Sequence, residues 1–185
     1  VKKALDALSG LEVDMIAPSH GIIWRQNLDR IVELYKRWAD NLTERKAVVV
    51  YDSMWGSTRK MAQAIEEVLE SEGISSHLAD LKVSHASDIM TRLLTCEYVF
   101  VGSPTLNNGM LPTVAAFLTY MKGLAPKKRK GMAFGSYGWG GQSVGQIEEY
   151  LTQSGFDVAE GVRVKFVPKE QDIDDLKEKI REVIR

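Results

Sequence analysis

Three groups of residues in this chain could do chemistry, and each combines hydroxyls, glycine and aromatic or amide side chains in a short run. The first is Ser53, Met54, Trp55, Gly56, Ser57 and Thr58. It follows the apolar run Val48-Val49-Val50-Tyr51 and precedes a segment with Met61, Ala64, Ile65, Val68 and Leu69 on one face of a helical period. A strand that turns directly into a helix leaves backbone N–H groups pointing out of the turn, and these attract an anion. Ser53, Ser57 and Thr58 add hydroxyl donors, and Gly56 lets the backbone come close. No Lys or Arg stands between Ser53 and Thr58. A nucleoside-triphosphate loop carries Gly-Lys-Ser/Thr, with the Lys on the terminal phosphates. This loop therefore reads as a neutral cradle for one phosphate monoester, or as a plain strand-to-helix turn with Ser as a cap.

The second group is Ser103, Pro104, Thr105, Leu106, Asn107, Asn108, Gly109 and Met110, and the third is Ser136, Tyr137, Gly138, Trp139, Gly140, Gly141 and Gln142. Tyr137 and Trp139 stand among glycines rather than on an apolar stripe. Aromatic rings beside flexible backbone suit stacking on a planar group whose heteroatoms meet backbone amides; the alternative is that they seal loops over the end of a sheet. Neither run contains an acidic residue.

Regular alternation positions these groups. A strand at 47–52 leads to a helix at 57–72, stopped by Gly73. A strand at 74–81, a short helix at 87–94 and a strand at 97–102 follow. Pro112 opens the next helix, which turns Val114, Phe117, Leu118 and Met121 inward. After a strand at 131–135 comes a helix with Val144, Ile147 and Leu151, then a strand at 162–167 and a last helix with Ile173, Leu176, Ile180, Val183 and Ile184. Such alternation implies an α/β fold, a doubly wound five-stranded parallel sheet with helices on both faces. Ligands bind outside the carboxyl ends of such strands, where the strand order reverses. The three groups all fall at that edge. The basic run Lys127-Lys128-Arg129-Lys130 reads as a solvated turn.

Residues 1–46 differ from the rest. Val13-Asp14-Met15-Ile16-Ala17 reads as a short strand ending at Pro18-Ser19-His20-Gly21, and a helix follows with Leu28, Ile31, Val32, Tyr35, Trp38 and Leu42 on one face. A lone strand and two helices bury little by themselves, so these faces are expected to pack on something upstream or on the main domain. The polar joint Thr43-Glu44-Arg45-Lys46 divides the chain into 1–46 and 47–185. Val1 already lies inside an amphipathic pattern, which suggests a fragment or a processed chain.

Composition excludes several classes. A net charge of −1 over 185 residues gives no field for nucleic acid or an anionic membrane. One cysteine, Cys96, excludes an internal disulfide and suits a reducing, cytoplasmic compartment. No apolar run approaches the ~18 residues of a membrane span, and no signal-peptide pattern opens the chain.

With these residues in view, 46–185 resembles a flavodoxin domain, with Ser53-Met54-Trp55-Gly56-Ser57-Thr58 in the place of the FMN-phosphate loop. The chain as a whole resembles the carboxyl-terminal part of a flavodiiron protein (A-type flavoprotein), which joins a β-lactamase-like di-iron domain to a flavodoxin domain. The specific tie is Ala17-Pro18-Ser19-His20-Gly21-Ile22-Ile23-Trp24-Arg25, which is similar to the end of the di-iron domain, with His20 matching the last iron ligand. The resemblance implies a flavodoxin-like sheet of order 2-1-3-4-5, with residues 1–46 as the tail of the upstream domain plus linker. It implies FMN: Ser53, Ser57, Thr58 and nearby N–H groups on the phosphate, 104–109 along one side of the ring with a peptide near Asn107 to Gly109 facing N5, and Trp139 with its glycines on the other. It further implies electrons received from a rubredoxin-like or flavin donor and passed to a di-iron site that reduces dioxygen or nitric oxide, in a head-to-tail homodimer.

A di-iron site needs a shell of ligands, which that family draws from upstream, and His77 and His85 fall in no paired metal spacing, so no metal is expected here. The flavin carries the redox step; no general base or nucleophile is arranged, and Cys96 reads as structural. The acid-free loops imply a second reduction step less depressed than in flavodoxins with acidic loops, because like charge disfavours an anionic reduced ring. Three other readings stand beside this one. A flavodoxin-like NAD(P)H:quinone reductase would turn over by itself. A receiver domain needs a carboxylate cluster and a Lys, of which Asp52 alone is not enough. The third is a cofactor-free partner-binding module.

Overall fold

The computed structural model describes residues 1–8 and 10–185. Its organising strand is β1 (Glu44–Tyr51), which pairs in parallel with β2 (Ser75–Asp80) on one side and β3 (Cys96–Gly102) on the other. β4 (Lys130–Tyr137) and β5 (Asp157–Lys165) extend the sheet, giving the parallel order β2-β1-β3-β4-β5. The chain steps outward from β1 to β2, then crosses back to β3, so the strand order reverses between β1 and β3. This is the expected doubly wound flavodoxin-like sheet.

β1 shows why both faces are covered. Its Ala47, Val49 and Tyr51 belong to one core and its Val48 and Val50 to the other, as the two-residue period of a strand requires. The first core is closed by α3 (Ser57–Ser71), through Met61, Ile65 and Leu69, and by α7 (Glu170–Ile184), through Leu176, Ile180 and Ile184. The second is closed by α4 (Ala86–Leu93), α5 (Pro112–Leu124) and α6 (Gln142–Gln153), through Ile89, Phe117, Leu118, Ile147 and Leu151 among others. Each such side chain, fully buried, contributes about 1.5–3 kcal/mol.

Three boundaries differ from the expectation. β1 begins at Glu44, not 47: the Glu44 amide donates to the Thr95 carbonyl at 2.8 Å, and Glu44 stands opposite Cys96. The charged joint is thus partly strand, and the chain divides into compact units Val1–Leu42 and Thr43–Arg185. β4 runs on to Tyr137 through Gly135, where a Cβ would stand 2.0 Å from the Ser103 carbonyl oxygen. β5 starts at Asp157 and continues through Gly161, beside a register shift between Met132 and Phe134 on β4; a Cβ there would meet the Ala133 carbonyl oxygen at 2.7 Å.

In the unit Val1–Leu42, α1 (Lys2–Ala7) and α2 (Leu28–Ala39) flank an irregular segment. The strand expected at 13–17 is reduced to one antiparallel bridge, Ile16 to Trp24, across the turn that holds Pro18 and Gly21. On α2, Ile31 is buried and Tyr35 meets Trp38 edge-on at 5.5 Å, whereas Tyr35 and Leu42 from the expected apolar face are exposed. Among the described residues no helix is long and apolar enough to cross a membrane.

Candidate functional site

β1 delivers the chain into the first loop at the sheet's carboxyl edge, beside the point where strand order reverses. Gly56 takes φ +92° as the cap of α3, and a Cβ there would meet nothing within 4 Å. The Gly56 amide donates to Ser53 Oγ at 3.0 Å, which folds the loop back on itself. Ser53 and Thr58 are buried, Ser57 is half-buried, and Met54 and Trp55 point outward, Trp55 at 94% exposure. Thr58 Oγ1 lies 3.4 Å from Ser136 Oγ, so the first and third loops touch through hydroxyls.

The second loop is more ordered than its composition implies. Leu106 and Gly109 exchange two backbone bonds of 2.9 Å, with Asn107 and Asn108 at φ +48° and +61° between them. That is a two-residue hairpin of the kind requiring positive φ at both central positions, which Asn tolerates. The peptide joining Asn107 and Asn108 stands at its tip. Gln146 of α6 fixes the hairpin from beneath, its Oε1 accepting the Met110 amide at 3.0 Å and its Nε2 donating to the Asn108 carbonyl at 3.4 Å. Ser103 is fully buried: its Oγ accepts the Leu111 amide at 2.9 Å, and its carbonyl accepts Ser143 Oγ at 3.0 Å. Pro104 is buried beside it, Thr105 is half-buried, and Leu106, Asn107 and Asn108 are exposed.

The third loop ties to the second through the Thr105 amide, which donates to the Ser136 carbonyl at 2.9 Å. Tyr137, expected in this loop, is instead the last residue of β4 and half-buried, since a Cβ at Gly141 would stand 3.4 Å from its ring. Trp139 is 100% exposed between half-buried Gly138 and Gly140. The edge therefore presents two outward indoles, Trp55 and Trp139, around hydroxyls and a helix start.

Charge is arranged around the cradle rather than in it. Arg59 pairs with Asp80 at 2.8 Å, and Lys60 donates to the Pro168 carbonyl at 3.0 Å, so both cations after Thr58 are committed elsewhere. Burial by itself would raise the Asp80 carboxyl; the Lys82 amide and the Arg59 guanidinium outweigh it and hold Asp80 below its ordinary value. Asp52, one residue past β1, is buried. Its Oδ1 accepts the Ser53 amide at 2.6 Å and its Oδ2 accepts the Thr113 hydroxyl at 2.5 Å. Lys82, from the loop after β2, stands 3.6 Å from Asp52 Oδ1 and donates to the Ser53 carbonyl. Sequence reasoning missed Lys82, Thr113 and Gln146. The strand order was the available signal for Lys82, because β2 beside β1 brings the loop after β2 against the first loop.

The histidines are scattered. His20 is exposed in the turn that follows Ile16. His85 caps α4, its Nδ1 accepting the Ser87 amide at 3.3 Å, and burial lowers the His77 imidazole. Among the described residues, no three His, Cys, Asp or Glu side chains gather as a metal site. A surface cavity of about 540 Å³ lined by His77, His85, Asp88 and Arg92 shares no residue with the three loops.

The donor set fits a phosphate-bearing planar group: uncharged hydroxyls at a helix start, open space over Gly56, and exposed indoles alongside. Comparison with known proteins agrees. The family described as Flavodoxin matches residues 49–180. A nitric oxide reductase of Moorella thermoacetica is 44% identical over 177 residues, covering 94% of this chain and 44% of that protein. The solved rubredoxin oxygen:oxidoreductase of Desulfovibrio gigas superposes with a TM-score of 0.95 at 41% identity, over 100% of this chain and 47% of that one. The flavodiiron protein of Giardia intestinalis gives 0.88 at 31% identity, over 99% and 48%. The chain spans under half the length of these relatives.

Proposed function

The chain belongs to the flavodoxin family, and on that premise we propose that it is the electron-relay part of a larger oxygen- or nitric oxide-reducing flavodiiron protein. Its cofactor is FMN, which supplies one- and two-electron redox chemistry when bound. In this reading, Ser53, Ser57, Thr58 and the first N–H groups of α3 hold the phosphate, with the macrodipole adding to their attraction. The Asn107-Asn108 turn stands toward the N5 edge, and Trp139 with Gly138, Gly140 and Gly141 takes the opposite side. The observation that carries the proposal is the convergence of three hydrogen-bonded loops at the strand-order reversal, with a neutral phosphate cradle between outward tryptophans.

The exposed Val13, Met15, Ile22 and Ile23 support reading residues 1–46 as the tail of a β-lactamase-like domain. In that complete protein His20 would be an iron ligand, the donor a rubredoxin-like protein or a flavin, and the assembly a head-to-tail homodimer in the cytoplasm. The purified chain is expected to be yellow and to release FMN, not FAD, on denaturation; a colourless chain that takes up no FMN ends the proposal. Ser57→Ala with Thr58→Ala is expected to weaken FMN by roughly a hundredfold, as loss of hydrogen bonds to a charged group implies, and riboflavin far less. The absence of acidic residues from 103–110 and 136–142 supports two closely spaced reduction steps, which a spectroelectrochemical titration measures; widely split potentials would refute it. Steady-state NAD(P)H oxidation by the chain alone would favour a quinone reductase instead.

A further inference from the structure

Ser53 is held at both of its backbone polar groups, one in the peptide unit before its Cα and one in the unit after it. Its amide N–H donates to Asp52 Oδ1 at 2.6 Å, and the carbonyl of the same residue accepts the Lys82 ammonium. Ser53 Oγ in turn accepts the Gly56 amide at 3.0 Å, so the orientation of Ser53 sets that of the whole turn entering α3. The carboxylate that does this is 3% exposed and is fixed at its other oxygen by the Thr113 hydroxyl of α5 at 2.5 Å. Lys82 Nζ stands 3.6 Å from that carboxylate, so its charge offsets the one Asp52 brings beneath an anion site. Three elements that meet only through the strand order, the loops after β1 and β2 and the start of α5, thus converge on one residue of the cradle.

We propose that Asp52, Lys82 and Thr113 form a clamp that presets the first loop for a phosphate monoester, with Lys82 as the positioning residue that makes the carboxylate tolerable there. This rests on the FMN reading above. An isolated carboxylate under the loop would repel a phosphate dianion, whereas a paired one orders the loop at little electrostatic cost. The clamp touches only the phosphate end, so its loss discriminates between flavins with and without phosphate.

The test titrates the full 185-residue chain with FMN and with riboflavin, as wild type, Lys82→Met, Lys82→Arg, Asp52→Asn and the Lys82→Met/Asp52→Asn double variant, recording the melting temperature of each apo-protein. Lys82→Met is expected to weaken FMN about tenfold, as loss of a charge-assisted bond that preorganises a site implies, with riboflavin within about twofold and Lys82→Arg restoring most of the loss. The double variant is expected to be no weaker toward FMN than Lys82→Met, because removing the carboxylate also removes the repulsion that Lys82 offset. Equal losses for FMN and riboflavin, or FMN affinity unchanged in Lys82→Met, overturn the clamp. Lys82 is half-exposed, so Lys82→Met decides the matter by itself if Asp52→Asn lowers the melting temperature. A wild-type chain that takes up neither flavin overturns the flavin reading and the clamp with it; a wild-type chain that binds FMN no better than Lys82→Met overturns the clamp alone.

Discussion

Gly135 and Cys96 show how single positions constrain this fold. A methyl group at Gly135 would stand 2.0 Å from the Ser103 carbonyl oxygen, and that oxygen belongs to a fully buried residue whose amide is bonded to the Phe134 carbonyl at 3.1 Å. Neither backbone can give way without parting β3 from β4. Gly135→Ala is therefore expected to destabilise by about 1–3 kcal/mol or more, read as a lower melting temperature, and to loosen the second and third loops together. Cys96 is buried, with its S–H donating to the Arg92 carbonyl at 3.2 Å, and burial pushes the thiol up to about 11. Because the folded value lies above that of an unfolded thiol, Cys96 is expected to stay protonated at pH 8 and resist a disulfide reagent until denaturant is added; rapid native labelling would contradict this. The sequence reading of Cys96 as structural needed only its place at the head of an apolar strand. Lys82 was different: nothing about a lone Lys after a strand marks it, and its role exists only because β2 lies against β1.

Among elements, the hairpin of the second loop is the clearest case of order hidden by composition. The run from Pro104 to Gly109 reads only as a loop, yet two positive-φ asparagines and a reciprocal backbone pair make it a fixed turn braced by Gln146. Asn108→Ala keeps the chain length but places an alanine at φ +61°, at a cost of about 1–2 kcal/mol. Faster hydrogen exchange at the Gly109 amide is the expected outcome, with the melting temperature of the sheet little changed; unchanged protection would mean that Gln146 alone holds the turn. The strand ends were misjudged for a related reason. The strand expected to end at Gly135 runs on to Tyr137, and the one expected to start at 162 begins before Gly161; at each glycine a neighbouring carbonyl leaves no room for a Cβ. A glycine's neighbours across the sheet decide whether it ends a strand or lets it pass, and those neighbours are absent from a linear reading.

At the scale of the whole molecule, alternation and period carried the α/β architecture and its helix-covered faces, since each apolar stripe has only one way to be covered in a parallel sheet. The chain divides into the compact units Val1–Leu42 and Thr43–Arg185, and that division carries a last consequence. Both hydrophobic cores are built from residues between Ala47 and Ile184, and each of the three loops and each clamp residue lies within Thr43–Arg185. Glu44 is the first residue of β1, bonded to Thr95, so a chain cut after Lys46 would lose the bulged start of β1 and its pairing with β3. A chain beginning at Thr43 is therefore expected to fold by itself, to melt cooperatively and to bind FMN within about twofold of the 185-residue chain, because all five strands, both cores and the three loops lie within it. A chain beginning at Ala47 is expected to melt lower while keeping its FMN affinity, since the strand start it lacks is at the opposite end of β1 from the site. Loss of FMN binding in the Thr43 chain would show that residues before Thr43 support the cofactor, and equal melting of the two shortened chains would show that Glu44 to Lys46 are linker after all.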